Sequence, residues 1–412
     1  MSLGMVGLIV AFALILFLNS KKINLDMGLS IIIGGIVVGF FSLHLSEIFD
    51  SILTALIDPL TIKLFIIINL ISGLGYMLEE TGDFEMMIQS LVKILPGKKI
   101  ITMVLPALIG TLSIPGGAIL SAPMIDESGD KINLTAAKKT AVNLFFRHIF
   151  LFVYPLVSSI ILTSELFEVD KFFVIKNNLL IMIAGVITAY FTFFNKDNKI
   201  KSIRKEDKKV DYKKETLNFL KSFSAILLII ILALIFKVPF YISVIAGVLF
   251  GIGRNLKFKK FFREYKIRTV LFFKKGIKYK MGFLFVGIMI FKSIVKKSGA
   301  VNEVSEILSS GDLPLYLLIV FMGLVVGYLT GMTSAGLGIL IPIFQPLIPS
   351  NLLGSYIALI FTTVFMGYLI SPLHLCFALT KEYFNSTYKR VYKLMAPPII
   401  IMIITSVVMV LI

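Results

Sequence analysis

The chain has 412 residues, 57% of them hydrophobic, with a formal net charge of +17 and a mean hydropathy of +0.94. That balance excludes a soluble domain and predicts an all-α polytopic membrane protein. In such a protein the excess of lysine and arginine reads as basic cytoplasmic loops rather than a nucleic-acid surface. The single cysteine, Cys376, excludes an internal disulfide and gives no cysteine metal cluster.

Taken in order, spans are expected at about 3–18, 27–45, 60–78, 172–194, 217–236, 238–253, 281–295 and 396–412. The first reads as a span rather than a cleavable signal, since it lacks a basic leader and a small-residue cleavage site. Glu85 to Leu95 and Val301 to Leu308 read as short amphipathic surface helices. Two further segments, about 133–163 and 351–380, are apolar but interrupted at Tyr154-Pro155 and Ser371-Pro372. Proline removes a backbone donor and disfavours helix in the residue before it, so both read as broken helices.

Ahead of the first of these lies Gly110-Thr-Leu-Ser-Ile-Pro-Gly-Gly-Ala118, flanked by apolar stretches too short to cross a bilayer, which takes about 20 residues. The region 100–125 therefore reads as a re-entrant hairpin whose tip faces protein or a wet cavity. A second hairpin is expected at 313–348, because Gly327-Tyr-Leu-Thr-Gly-Met-Thr-Ser-Ala335 repeats the pattern 217 residues later. The same offset joins Gly82 to Gly299, Pro155-Leu156 to Pro372-Leu373, and Leu162-Thr163 to Leu379-Thr380. Two repeats follow, 1–194 and 217–412, joined by a polar cytoplasmic linker at 195–216. Each carries about five transmembrane segments, so the second is inverted. Inverted repeats with discontinuous helices mark secondary transporters, with the site near the midplane.

Basic residues set the expected orientation. Asn195 to Glu215 holds nine lysines and arginines, and Arg254 to Lys280 holds eleven, so both fall in the cytoplasm and both termini outside. The run 254–280 also interleaves phenylalanines and reads as an interfacial segment binding anionic lipid headgroups; nucleic acid is not an expected partner.

The candidate substrate site is built from both hairpin tips: Ser113, Pro115, Gly116 and Gly117, with Thr330, Thr333, Ser334 and Gly336. Glycines admit a ligand to the backbone, freed amides hold a carboxylate, and hydroxyls near Ser113, Gly117, Thr330 and Ser334 could coordinate Na⁺. The alternative is that these small residues only pack hairpin against helix. The broken helices add Asn143 and Arg147. Counted from Asn133 at 1.5 Å per residue, Arg147 lies roughly 20 Å along its helix. It either grips a carboxylate bidentately inside the membrane or snorkels to the surface. His148 and His374 either relay a proton or sit neutral and hydrogen-bonded in the bundle. Pro155 and Pro372 mark the helix breaks.

No acidic residue falls in the middle of an expected span, which weakens a cation/proton exchanger. No phosphate-binding loop or HExxH motif is present, so an enzyme is not expected. The expectation is a secondary carrier of a small organic anion in the cytoplasmic membrane, coupled to Na⁺ or H⁺ and needing no other cofactor. The alternatives are an inorganic ion carrier of the same architecture and a membrane scaffold that does not transport.

The run Leu105-Pro-Ala-Leu-Ile-Gly-Thr-Leu-Ser-Ile-Pro-Gly-Gly-Ala-Ile-Leu-Ser-Ala-Pro-Met-Ile-Asp126 resembles a domain-of-unknown-function family of bacterial and archaeal membrane proteins. That family is grouped with the ion transporter superfamily, alongside gluconate, citrate and dicarboxylate carriers. The resemblance implies an elevator mechanism, in which hairpins and broken helices move as one body against a scaffold, and a homodimer. The dicarboxylate carriers place Ser-Asn-Thr at each tip; this chain departs from that, with Ser113-Ile-Pro115 and Thr333-Ser-Ala335.

Overall fold

A computed structural model describes residues 3–19, 23–111, 118–194, 210–256, 261–300 and 314–412. The first hairpin tip with Ser113, Pro115, Gly116 and Gly117, residues 195–209 of the linker, and the surface helix expected at 301–308 lie outside the described residues. The described residues form nineteen α-helices and no strand. Five helices are long and apolar enough to cross a membrane, and six shorter apolar helices accompany them. A helical solution is what lipid demands, since each backbone polar group must be satisfied within its own segment.

The first half runs α1 (Leu3–Leu18), α2 (Met27–Ser42), α3 (Leu45–Ile57), α4 (Pro59–Glu80), α5 (Asp83–Ile94), α6 (Lys98–Thr111), α7 (Ala118–Asp130), α8 (Ala136–Ile149), α9 (Ser158–Phe167) and α10 (Lys171–Phe193). The second runs α11 (Tyr212–Leu234), α12 (Phe240–Gly253), α13 (Phe261–Leu271), α14 (Tyr279–Ser298), α15 (Leu315–Thr330), α16 (Thr333–Phe344), α17 (Leu353–Ile370), α18 (Leu375–Tyr383) and α19 (Tyr388–Leu411). Several starts are local chemistry. Asp26, Asp58 and Asp170 cap α2, α4 and α10 by accepting bonds from first-turn amides, and Thr135 does the same for α8.

One sequence expectation changes here. The span placed at 27–45 ends at Ser42, and the stretch after it forms the helix α3 with Ile48, Ser51 and Ala55 buried. The basic run 254–280 contains α13 and a π turn at Phe272–Gly276, and α13 has no buried residue on any face.

Helix starts recur at the 217-residue spacing. Lys98 and Leu315, Ala136 and Leu353, Ser158 and Leu375, and Lys171 and Tyr388 each open a helix. The left-handed glycines Gly82 and Gly299 share that spacing, as do the left-handed residues Glu168 and Asn385. One tertiary contact recurs as well. A Cβ on Gly110 would stand 1.8 Å from the Arg147 carbonyl oxygen, and a Cβ on Gly327 would stand 2.0 Å from that of Val364. These glycines let α6 cross α8, and α15 cross α17, with backbones in contact. Gly327→Ala should therefore force the helices apart at a cost of about 1–3 kcal/mol. The expected result is a lower midpoint of thermal unfolding, with Gly251→Ala as a control near wild type, because its Cβ meets no backbone, only the flexible end of Leu74 at 3.3 Å and the Ala225 methyl at 3.7 Å.

Packing divides the helices into two groups. α1–α5 pack with α11–α14, and α6–α10 pack with α15–α19. The main contacts between the groups are α14 on α16, α5 on α6 and α4 on α9. An ion pair also crosses between them, from Lys63 on α4 to Glu165 on α9 at 3.4 Å.

Candidate functional site

Helix α8 stops at Ile149 and α9 restarts at Ser158; α17 stops at Ile370 and α18 restarts at Leu375. Proline at 155 and 372 cannot donate the bond that would continue either helix. The carbonyls freed by the breaks are satisfied from neighbouring helices. Asn178 donates to the Phe152 carbonyl at 3.3 Å and Tyr392 donates to that of Ile370 at 2.9 Å. Ser371 donates to the Tyr328 carbonyl at 2.5 Å and accepts from the Leu373 amide at 3.1 Å, which fixes the second break against α15. α15 itself ends at Gly331, left-handed with φ +60°, before α16 begins at Thr333.

These breaks surround one cavity of about 400 Å³. Arg147, His148 and Ser158 line it from the first broken helix, Tyr368, His374 and Cys376 from the second. Gly331, Met332, Thr333 and Ser334 form another wall, and Met281, Leu284 and Phe285 of α14 close it from the other helix group. A smaller cavity of about 70 Å³ shares Ser158 and Met281 and is lined further out by Tyr76, Glu79, Lys275 and Lys278.

Arg147 is 3% exposed and does not snorkel. Its guanidinium donates to the Cys376 thiol and faces Tyr368. His148 Nδ1 lies 2.7 Å from the Leu144 carbonyl, so Nδ1 carries the proton and Nε2 the lone pair. His374 Nε2 lies 2.8 Å from the Tyr368 hydroxyl. The two histidine rings meet edge to face with centroids 4.7 Å apart. Ser158 and Ser334 share a hydrogen bond of 2.9 Å across the cavity wall.

Arg147, His148, Thr333, Ser334 and His374 thus come together, out of the residues singled out in the sequence. Others lie apart. Thr330 turns its hydroxyl back onto the Val326 carbonyl at 2.7 Å. Gly336 packs on Val364. Asn143 accepts from Ser121 at 2.6 Å and donates to the Ala118 carbonyl and to Thr380, tying α7, α8 and α18 together behind the cavity. Pro155 and Pro372 shape the breaks and do not line the cavity. Tyr368, Cys376 and Ser158 were not singled out from the sequence. Cys376 did carry a signal, standing two residues beyond His374 at the restart of a broken helix.

The family described as a protein of unknown function (DUF401) matches residues 4–412. The chain belongs to the DUF401 family. No curated protein matches it. Nothing therefore assigns a ligand to this DUF401 cavity except its own chemistry, which is a buried guanidinium, two imidazoles, a thiol and hydroxyls. No carboxylate lines it among the described residues.

Proposed function

We propose that this chain is a secondary active transporter of a small organic anion, a carboxylate, coupled to Na⁺ or H⁺. The observation that carries the reading is Arg147, a buried cation in a cavity where two broken helices meet. Charge inside a membrane protein is costly and is retained for ligands or ion pathways, and guanidinium is the side chain suited to bidentate carboxylate binding. The absence of acidic residues from the described cavity lining favours an anion over a cation. An open cavity that holds a buried guanidinium favours transport over a scaffold.

Two further features support alternating access. The common 217-residue spacing of helix starts, left-handed turns and glycine crossings supports two repeats, 1–194 and 217–412, of inverted topology. The two packing groups support an elevator in which α6–α10 and α15–α19 move past α1–α5 and α11–α14. The smaller cavity, with Lys275 and Lys278 at its outer end, would give the anion a basic approach from the side assigned to the cytoplasm. His148 and His374 are the groups that would carry a coupling proton. In the same reading, α13 lies against anionic lipid headgroups, with Phe262 87% exposed, and a second copy of the chain completes a dimer.

The test is thermal unfolding of the purified protein with a panel of organic acids, with and without Na⁺. A ligand that binds only the native state raises the midpoint by mass action, about 2.7 kcal/mol at a hundredfold excess over Kd. A shift that needs Na⁺ indicates sodium symport, and one that does not indicates proton coupling. No shift with any acid would refute the anion reading.

A further inference from the structure

The cavity contains a set of donors that anion binding does not use. One ring nitrogen each from His148 and His374 and the Cys376 sulfur lie within 4.8 Å of one another. His374 is 3% exposed, and its Nδ1 is buried without a hydrogen-bond partner; the Leu369 carbonyl lies near the ring but outside bonding geometry. Buried polar atoms are nearly always satisfied, so an orphaned imidazole nitrogen beside a second imidazole and a thiol calls for an occupant.

The outer partners of both rings fit a metal ligand set. A ligating histidine ordinarily donates its other N–H to a fixed acceptor, which sets the tautomer and the ring orientation. His148 does so through Nδ1 to the Leu144 carbonyl at 2.7 Å, leaving Nε2 as the lone pair. His374 has Nε2 at 2.8 Å from the Tyr368 hydroxyl; donation there leaves Nδ1 as the lone pair. Cys376 supplies the third donor, a sulfur beside both imidazoles.

The geometry points to a site for a soft univalent d¹⁰ cation, Cu⁺, held by His148, His374 and Cys376 between the two broken helices. Thiolate and imidazole donors select soft and borderline metals. Charge separates the candidates. A thiolate with Cu⁺ is neutral, whereas Zn²⁺ would leave a net positive charge beside Arg147 in a low-dielectric site. Ligand atoms sharing one ion stand roughly 3.5 Å apart, so binding asks for about an ångström of side-chain closure. The thiol proton is lost to solvent on binding, and no electron is transferred. Cu⁺ and a coupling proton would compete for the same nitrogens, so the occupied site removes this histidine pair from proton coupling. The inference does not depend on carboxylate binding at Arg147.

The experiment is anaerobic titration of the purified full-length protein with Cu⁺ against a chromophoric Cu⁺ chelator, without organic acids. One ion per chain is expected, and X-ray absorption of the loaded wild type should show two nitrogen ligands and one sulfur. His374→Gln and Cys376→Ser should each weaken binding at least about a hundredfold, in keeping with loss of a first ligand. The absorption spectrum of the wild type does not depend on either variant folding. No retained Cu⁺, a coordination shell without sulfur, retention of Zn²⁺ in preference to Cu⁺, or unchanged affinity in Cys376→Ser would overturn the assignment. Failure of the organic-acid panel would leave this result untouched, and the converse also holds.

Discussion

Replacing Arg147 with lysine is expected to weaken carboxylate binding by roughly 10- to 100-fold while the protein stays folded. Lysine keeps the positive charge in the cavity, so no new uncompensated group is buried. What it loses is the planar fork that gives a carboxylate two parallel bonds. A hydrogen bond to a charged group contributes about 1.5–3 kcal/mol, and each 1.4 kcal/mol is tenfold in affinity. Arg147→Gln, which also removes the charge, should bind more weakly still. Ser334→Ala should have a smaller effect, because it removes one neutral hydroxyl and its bond to Ser158. Affinity is read from the concentration dependence of the thermal shift, and uptake from proteoliposomes. Wild-type affinity in Arg147→Lys would make Arg147 a structural cation holding Cys376 and would remove the basis for an anion substrate.

The placement of that guanidinium depends on a neighbour that carries no charge. Gly110 on α6 lies directly against the Arg147 carbonyl, and α8 can sit at that depth only because residue 110 has no side chain. Val364 takes the place of Arg147 at the corresponding crossing in the second half, against Gly327. The two halves thus share a backbone crossing and differ in the side chain it presents. An asymmetric ligand, with one anionic end, would need that difference in a site assembled from related pieces.

Much of the fold was legible because membrane helices obey few rules. The hydropathy of the chain predicts helices in lipid, and five helices meet the length and composition needed to span. Pro155 and Pro372 predict interruptions because neither can donate a backbone bond, and the structure interrupts helices at 150–157 and 371–374. α3 was harder to see, since Ser46, Glu47 and Asp50 read as a loop until Ile48, Ser51 and Ala55 are found buried on one face. The cavity lining was legible only where polarity stood out. Arg147, His148 and His374 are conspicuous in apolar sequence, whereas α17 is apolar all round, so nothing in its periodicity marks Tyr368 as facing a cavity. The pairing of His148 with His374 joins the two halves of the chain, and local pattern carries no such information. Asn143 shows the opposite error: it is a buried polar residue beside the site whose bonds are all spent within the fold.

If the two packing groups slide past one another, the contact between α14 and α16 must break and re-form in each cycle, and it can be locked. A Cβ built on Gly338 lies 2.5 Å from Ile288 Cγ1, so the two positions face one another at the main junction between the groups. Cysteines at both positions would replace the isoleucine side chain with a sulfur in the vacated space, and a disulfide there needs a Cβ separation of about 3.5–4.5 Å. Ile288→Cys with Gly338→Cys, with Cys376 left in place, should form the bridge on mild oxidation, as checked by mass spectrometry. Uptake should then fall to background and recover on reduction, while each single variant transports in both redox states. Binding should survive the lock, because Arg147, Thr333 and Ser334 all lie on one side of the bridge, in the group that contains α16. The combination of retained binding and lost uptake is specific to a moving body carrying its ligand. Loss of both would mean that the bridge distorts the cavity, and persistent uptake by the bridged protein would exclude motion of α16 against α14.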